Sequence, residues 1–357
     1  MCKRELFVFS GQSNMMGACV YPAKNQITFK RSFEYLHKNK RLGSKLGNFK
    51  STAFPVGEFS YKDLSLAYSK DLCVNGKSLL ADYKENTFFC PSMCNLEDEK
   101  TKTAKPFSAY SETNAPFGSS LAPFVVKEWE KLGKNCAYAH IAKGNTSIKY
   151  YFNESMIEQV NRLIEKYNLD NQQKLDVQAV EDNAGDYFFE KVDDFFADSR
   201  QVFAEEDLSE KCFFWLQGES DPNMSKDLYK IYLSVLWENL KKHGFTKFFC
   251  FRVGYWLNDN IINIINAQEE FCAETNGAYM LTRACSFMPI LGQDLKKWYG
   301  KNNVKKYCYC RDSYYGFSNN HINEKGFKIL AKSATKNLKR ILIKNKPVKL
   351  EKEKVCL

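Results

Sequence analysis

The chain is poor in proline and in histidine, with 9 prolines and 4 histidines among 357 residues. So little proline excludes a proline-rich scaffold, and so few histidines leave a short choice for any chemistry that needs an imidazole. No apolar run approaches the ~18 residues of a membrane span, so none is expected. The opening Met1-Cys2-Lys3-Arg4-Glu5 is charged and has no secretory apolar stretch behind it, and the ending Val355-Cys356-Leu357 does not place a cysteine where prenylation needs one. The 13 cysteines are scattered through a large chain, which predicts free thiols in a reducing, cytoplasmic compartment rather than a disulfide framework. Cys90 with Cys94 and Cys308 with Cys310 lack the usual thiolate spacing of a zinc site and have no nearby histidine, so neither a metal nor another cofactor is expected.

What the chain does hold is 44% apolar and 15% aromatic residues, enough for a sizeable core. Lys and Arg outnumber Asp and Glu by 52 to 42, a formal net charge of +10. Much of the excess lies on Lys-rich helix faces and in the run from Lys332 to Lys354, which predicts a solvated surface and no specific nucleic-acid partner.

Leu6-Phe7-Val8-Phe9 reads as a strand buried on both faces and closed by a turn at Ser10-Gly11. Further strands are expected at Cys136 to Ala142, Cys212 to Leu216, Phe248 to Phe251 and Tyr279 to Leu281. Helical apolar spacing appears at Leu121 to Trp129, Met156 to Tyr167, Leu228 to Leu236, Ile261 to Phe271 and Phe327 to Ile341. Strands alternating with helices of crossover length predict one α/β domain with a mostly parallel five-stranded sheet covered on both faces. Residues from about 18 to 115 and from 170 to 210 break the alternation and read as insertions.

In such sheets ligands gather beyond the carboxyl ends of the strands, so the turns there are where chemistry is expected. The first is Gly11-Gln12-Ser13-Asn14-Met15-Met16-Gly17, which leaves the Ser13 hydroxyl accessible but is not the G-x-S-x-G elbow. A serine nucleophile needs a base. His37 lies in the first insertion, His140 inside an apolar strand and His243 at a lysine-rich helix end, so elimination leaves His321, just ahead of the last helix. After the third strand, Gln217-Gly218-Glu219-Ser220-Asp221 offers an amide for a developing oxyanion and two carboxylates, Glu219 or Asp221, to orient the histidine. After the second, Gly144 has no side chain to screen a backbone N–H from the same oxyanion.

Taken in order, Gly11-Gln12-Ser13-Asn14-Met15, Gly144-Asn145-Thr146-Ser147-Ile148, Trp215-Leu216-Gln217-Gly218-Glu219-Ser220-Asp221 and the late His321 resemble the blocks of the SGNH hydrolases. They are most similar to the sialate O-acetylesterase and acetylxylan esterase branch, carbohydrate esterase family 6. The resemblance implies a three-layer, flavodoxin-like α/β/α sandwich and an O-acetylated sugar or glycan as substrate. It implies Ser13 as nucleophile, His321 as base, and Gly144 with Gln217 as oxyanion donors, with Gln12 and Asn14 as further oxyanion or substrate contacts. The family often carries an acid three residues before its histidine, where this chain has Ser318, and a second glycine where it has Asn145. Glu219 is therefore the preferred orienting acid, with Asp221 and Asp312 as alternatives. A non-catalytic carbohydrate-binding relative is the alternative function, resting on Ser318.

Overall fold

The computed structural model describes residues 3–16, 32–35, 73–74, 77–78, 89–90, 96–98, 103–105, 121–143, 146–171, 174–179, 184–254, 261–287, 322 and 324–351. The five strands expected from the sequence are present: β1 (Arg4–Gly11), β8 (Cys136–Ala142), β9 (Leu208–Leu216), β10 (Lys247–Phe251) and β11 (Ala278–Thr282). The sheet is wider than these five. Short strands β2 (Phe33–Tyr35) and β5 (Phe89–Cys90), both within the first stretch read as an insertion, extend it beyond β8. The order is β11-β10-β9-β1-β8-β2-β5, parallel throughout except for β5 against β2. The remaining short strands form two hairpins, β3 (Cys73–Val74) with β4 (Lys77–Ser78) and β6 (Leu96–Asp98) with β7 (Thr103–Lys105).

The central strands are parallel because helices connect them: α2 (Leu121–Glu130) leads into β8, α5 (Lys226–Lys242) joins β9 to β10, and α6 (Ile261–Glu274) joins β10 to β11. α5 shows how the sequence sets such an element. The Ser225 side chain accepts a hydrogen bond from the Leu228 N–H, Asp227 lies in the first turn, and Lys241 and Lys242 complement the carbonyl end. Its buried face carries Tyr229, Tyr232, Leu233, Leu236 and Leu240. Helix α3 (Glu154–Asn171) packs on α5, and α7 (Glu324–Leu338) on α2 and β11. The segment 170–210 contributes α4 (Gly185–Val202), whose Phe188, Val192, Phe195 and Phe196 belong to the common core.

Aromatic rings fill the middle of the sheet. Phe9 stacks on Phe214 with centroids 4.4 Å apart, and Phe214 tilts against Phe249 at 5.1 Å, so one row of rings crosses β1, β9 and β10. Such pairs add about 0.5–1.5 kcal/mol each beyond the area they bury. The order has one consequence for function. The chain leaves β1 for β8 on one side and later returns to β9 on the other, so the connections diverge at the carboxyl end of β1, the usual place for a ligand in an open α/β sheet.

Candidate functional site

Two glycines bring the strand ends together. Gly11 ends β1 at φ +140°, and a Cβ built there lies 2.0 Å from the Leu216 carbonyl oxygen, so no larger residue fits between β1 and β9. The next N–H, of Gln12, donates to that same carbonyl at 3.1 Å, while the Lys143 N–H donates to the Gly11 carbonyl at 3.0 Å from the β8 side. Gly218 has the same φ of +140°, and a Cβ there meets the Ile264 side chain at 2.6 Å. It presses the turn after β9 onto α6 and the end of β10.

On this frame Ser13 opens the one-turn helix α1 (Ser13–Met16), half-buried at the tip of β1. Gln12 and Asn14, expected as oxyanion or substrate contacts, are buried, 3% and 1% exposed, and hydrogen-bonded to protein groups. Gln12 Oε1 accepts from the Ser220 N–H at 3.1 Å, tying the first turn to the third. The Asn14 amide donates through Nδ2 to Glu219 Oε1 at 3.0 Å and accepts at Oδ1 from the Ile322 N–H at 2.9 Å. Segments 205 and 308 residues away in sequence thus meet on the residue beside Ser13.

The two candidate acids have different surroundings. Asp221 Oδ2 accepts from the Ile148 N–H at 2.8 Å and from Gln217 Nε2 at 2.6 Å, so this carboxylate fastens the turn after β9 to the turn after β8. Burial raises its pKa, against hydrogen bonds from Ser147, Gln217 and Ile148. Glu219 holds Asn14 through Oε1, and its buried Oε2 has no hydrogen-bond partner among the described residues. Burial, with the Asp221 charge adding to it, raises Glu219 to about 7, only partly offset by Asn14.

Gln217, expected as an oxyanion donor, is hydrogen-bonded within the protein. Its fully buried Nε2 donates to the Thr146 carbonyl at 3.0 Å and to Asp221, and its Oε1 accepts from the Tyr229 hydroxyl at 2.6 Å. With both amide hydrogens held by protein acceptors, Gln217 braces the site floor. Sequence reasoning did not assign Tyr229 to the site, nor Gln268, whose Nε2 donates to the Gln217 carbonyl at 2.8 Å. The signal for Gln268 was present: a polar residue on the apolar stripe of α6. Tyr151, whose hydroxyl bonds the Gly11 carbonyl, was also missed; burial pushes it up to about 12, so it stays a neutral phenol.

Of the histidines, His140 is 1% exposed in β8 and pushed down to about 3 by burial, a neutral core imidazole. His243 pairs with Asp193 at 2.8 Å and stacks on Phe189. His37, His321, Gly144, Asp312, Ser318, Cys94, Cys308 and Cys310 lie outside the described residues. Among the described residues no three His, Cys, Asp or Glu side chains gather as metal ligands, and no helix is long and apolar enough to cross a membrane.

No protein-family model matches the sequence, and no curated protein matches it. Among solved structures, the chain is similar to NanS at 9% identity and TM-score 0.44, over 96% of this chain and 99% of that one. It is similar to a carbohydrate acetylesterase from Xanthomonas citri at 10% identity and TM-score 0.37, over 77% of this chain. It spans about half, 49%, of the length of that second protein. Likeness of this size is slight, and the functional reading rests on the chemistry of the site itself.

Proposed function

We propose that the protein is a carbohydrate O-acetylesterase in which Ser13 is the nucleophile, His321 the general base and Glu219 the acid that orients it. The observation that carries this reading is the Asn14 amide, which joins Glu219 to the backbone of Ile322, the residue after His321 in sequence, one position from Ser13. The buried Oε2 of Glu219, which has no hydrogen-bond partner among the described residues, supports it further, because such an oxygen suits an imidazole N–H. Asp221, held by Ile148 and Gln217, is the poorer choice. The same reading takes the fold as a three-layer sandwich with insertions at about 18–115 and 170–210, and takes an O-acetylated sugar or glycan as substrate, with no specific nucleic-acid partner.

In this mechanism Ser13 Oγ attacks the acetyl carbonyl carbon while His321 removes the hydroxyl proton. The backbone N–H groups of Ser13 and Gly144 bear the oxyanion, and each such donor is worth about 3 kcal/mol where water is excluded. The ester C–O bond then breaks, the sugar oxygen takes the proton from the imidazolium, and acetyl-Ser13 remains. Water attacks that acyl group with His321 again as base, releasing acetate and restoring the serine.

The test is acetate release from a panel of O-acetylated glycans and from p-nitrophenyl acetate. Ser13→Ala is expected to lower kcat by about a thousandfold or more with an unchanged circular dichroism spectrum. Full activity in that variant refutes the nucleophile. Saturable glycan binding without turnover by the wild type refutes the enzyme and favours a binding protein.

A further inference from the structure

Asn14 makes two hydrogen bonds that a substrate contact has no need of. Its carboxamide is 1% exposed and reaches a carboxylate with one end and a backbone N–H with the other. Only one amide orientation serves both, because a carboxylate accepts and an N–H donates. Reversed, the side chain sets oxygen against oxygen at Glu219 and NH2 against N–H at Ile322. The contact is also the described link between three distant pieces of chain: the turn after β1, the turn after β9 and the start of α7.

We propose that Asn14 is a positioning residue, a latch that fixes the backbone at Ile322 relative to Glu219 and so holds the adjoining His321 in register with the nucleophile beside it. This rests on the Ser13–His321–Glu219 reading. The latch acts through geometry: a base misplaced by an ångström loses much of its rate although every reacting group is present. It also acts on the acid. The Asn14 N–H donated to Glu219 favours the ionised carboxylate, against burial and against the negative Asp221 in the same turn.

Two substitutions separate these tasks. Asn14→Asp keeps an oxygen acceptor for the Ile322 N–H but places a second carboxyl group against Glu219. Asn14→Leu removes both bonds at similar volume. Amide hydrogen exchange at Ile322 and the pH profile of kcat/KM for p-nitrophenyl acetate, from about pH 5 to about pH 9, are measured on the full chain. In Asn14→Leu, exchange at Ile322 is expected to quicken by about tenfold or more, and kcat to fall about tenfold or more with KM within about threefold. In Asn14→Asp, exchange stays slow while the rising limb of the profile moves up by about one pH unit, a displacement that loss of stability alone does not produce.

Unchanged exchange at Ile322 in Asn14→Leu overturns the latch, as does an unmoved limb in Asn14→Asp with Ile322 still protected. Should Asn14→Leu not fold, Asn14→Ser, which is shorter and cannot span both partners, takes its place under the same criteria. A wild type that releases no acetate marks failure of the esterase reading instead. The exchange result then still decides whether Asn14 holds Ile322.

Discussion

Ionising Glu219 costs more in the folded protein than in the unfolded chain, because burial opposes the charge and Asp221 adds to it. Its pKa rises from 4.5 to about 7 on folding. Between these values the folded state keeps a proton that the unfolded chain has lost, so the group's contribution is most favourable below pH 4.5 and falls as pH rises through about 7. The penalty is on the order of 3 kcal/mol. Glu219→Gln cannot ionise and avoids it. The variant's Tm relative to wild type should therefore climb as pH goes from 4.5 to above 7, as thermal melts in a buffer series will show. A constant difference between the two proteins would mean that Glu219 ionises at its ordinary value. The sequence preferred this carboxylate but left Asp221 and Asp312 as alternatives, since Glu219 and Asp221 stand two residues apart after the same strand. The hydrogen bonds that separate them come from residues far away in the chain.

At the scale of elements, the turns after β1 and β9 are held so close that a single methyl group has no room. Gly11→Ala combines φ +140° with a Cβ 2.0 Å from the Leu216 carbonyl oxygen, so the two strand ends must part for it to fit. We expect a loss of about 3 kcal/mol or more in urea unfolding, together with the loss of any activity that depends on Ser13. Stability within about 1 kcal/mol of wild type would show that the strand ends yield. The strands and helices themselves were legible. A continuous apolar run such as Leu6 to Phe9 has no other economical fate than a doubly covered strand, and helical apolar spacing such as Leu228 to Leu236 sets the face a helix buries. Strands β2 and β5 were not legible, being three and two residues long and paired at the sheet margin.

Over the whole molecule, the two ends of the described chain serve different parts of one sheet, the first as its central strand β1 and the last along its margin. The segment after α7 returns along β11, the outermost strand on its side. There Glu351 accepts from the Thr282 hydroxyl at 2.8 Å and from the Arg283 N–H at 2.9 Å, and it also bonds Ser333. Asn337 meets the Leu281 carbonyl at 2.8 Å and receives the Lys349 N–H at 2.8 Å. This strap satisfies polar groups that a bare edge strand leaves open to pairing with another chain. Glu351→Ala removes an acceptor shared by three donors and should cost about 2–3 kcal/mol, with a greater tendency to self-associate on warming. Chemical denaturation and light scattering check both, and an unchanged midpoint would show the strap to be ornamental to stability. The strap sits within a lysine-rich run that reads in the sequence as plain solvated surface.

The sequence alone determined the alternation of strands and helices, because apolar periodicity and caps act between near neighbours. It also placed a serine, a glutamine and two carboxylates directly after buried strands, at the end of the sheet where ligands gather in this kind of fold. It did not determine the strand order that puts β1 at the divergence of the connections. Nor did it determine that Gln217 braces while Asn14 ties, or that Asp221 is held by the neighbouring turn while Glu219 keeps an oxygen without a partner among the described residues. Those outcomes depend on which distant donors and acceptors are buried together, and hydrogen bonds between residues 205 and 308 positions apart leave no periodic trace along the chain.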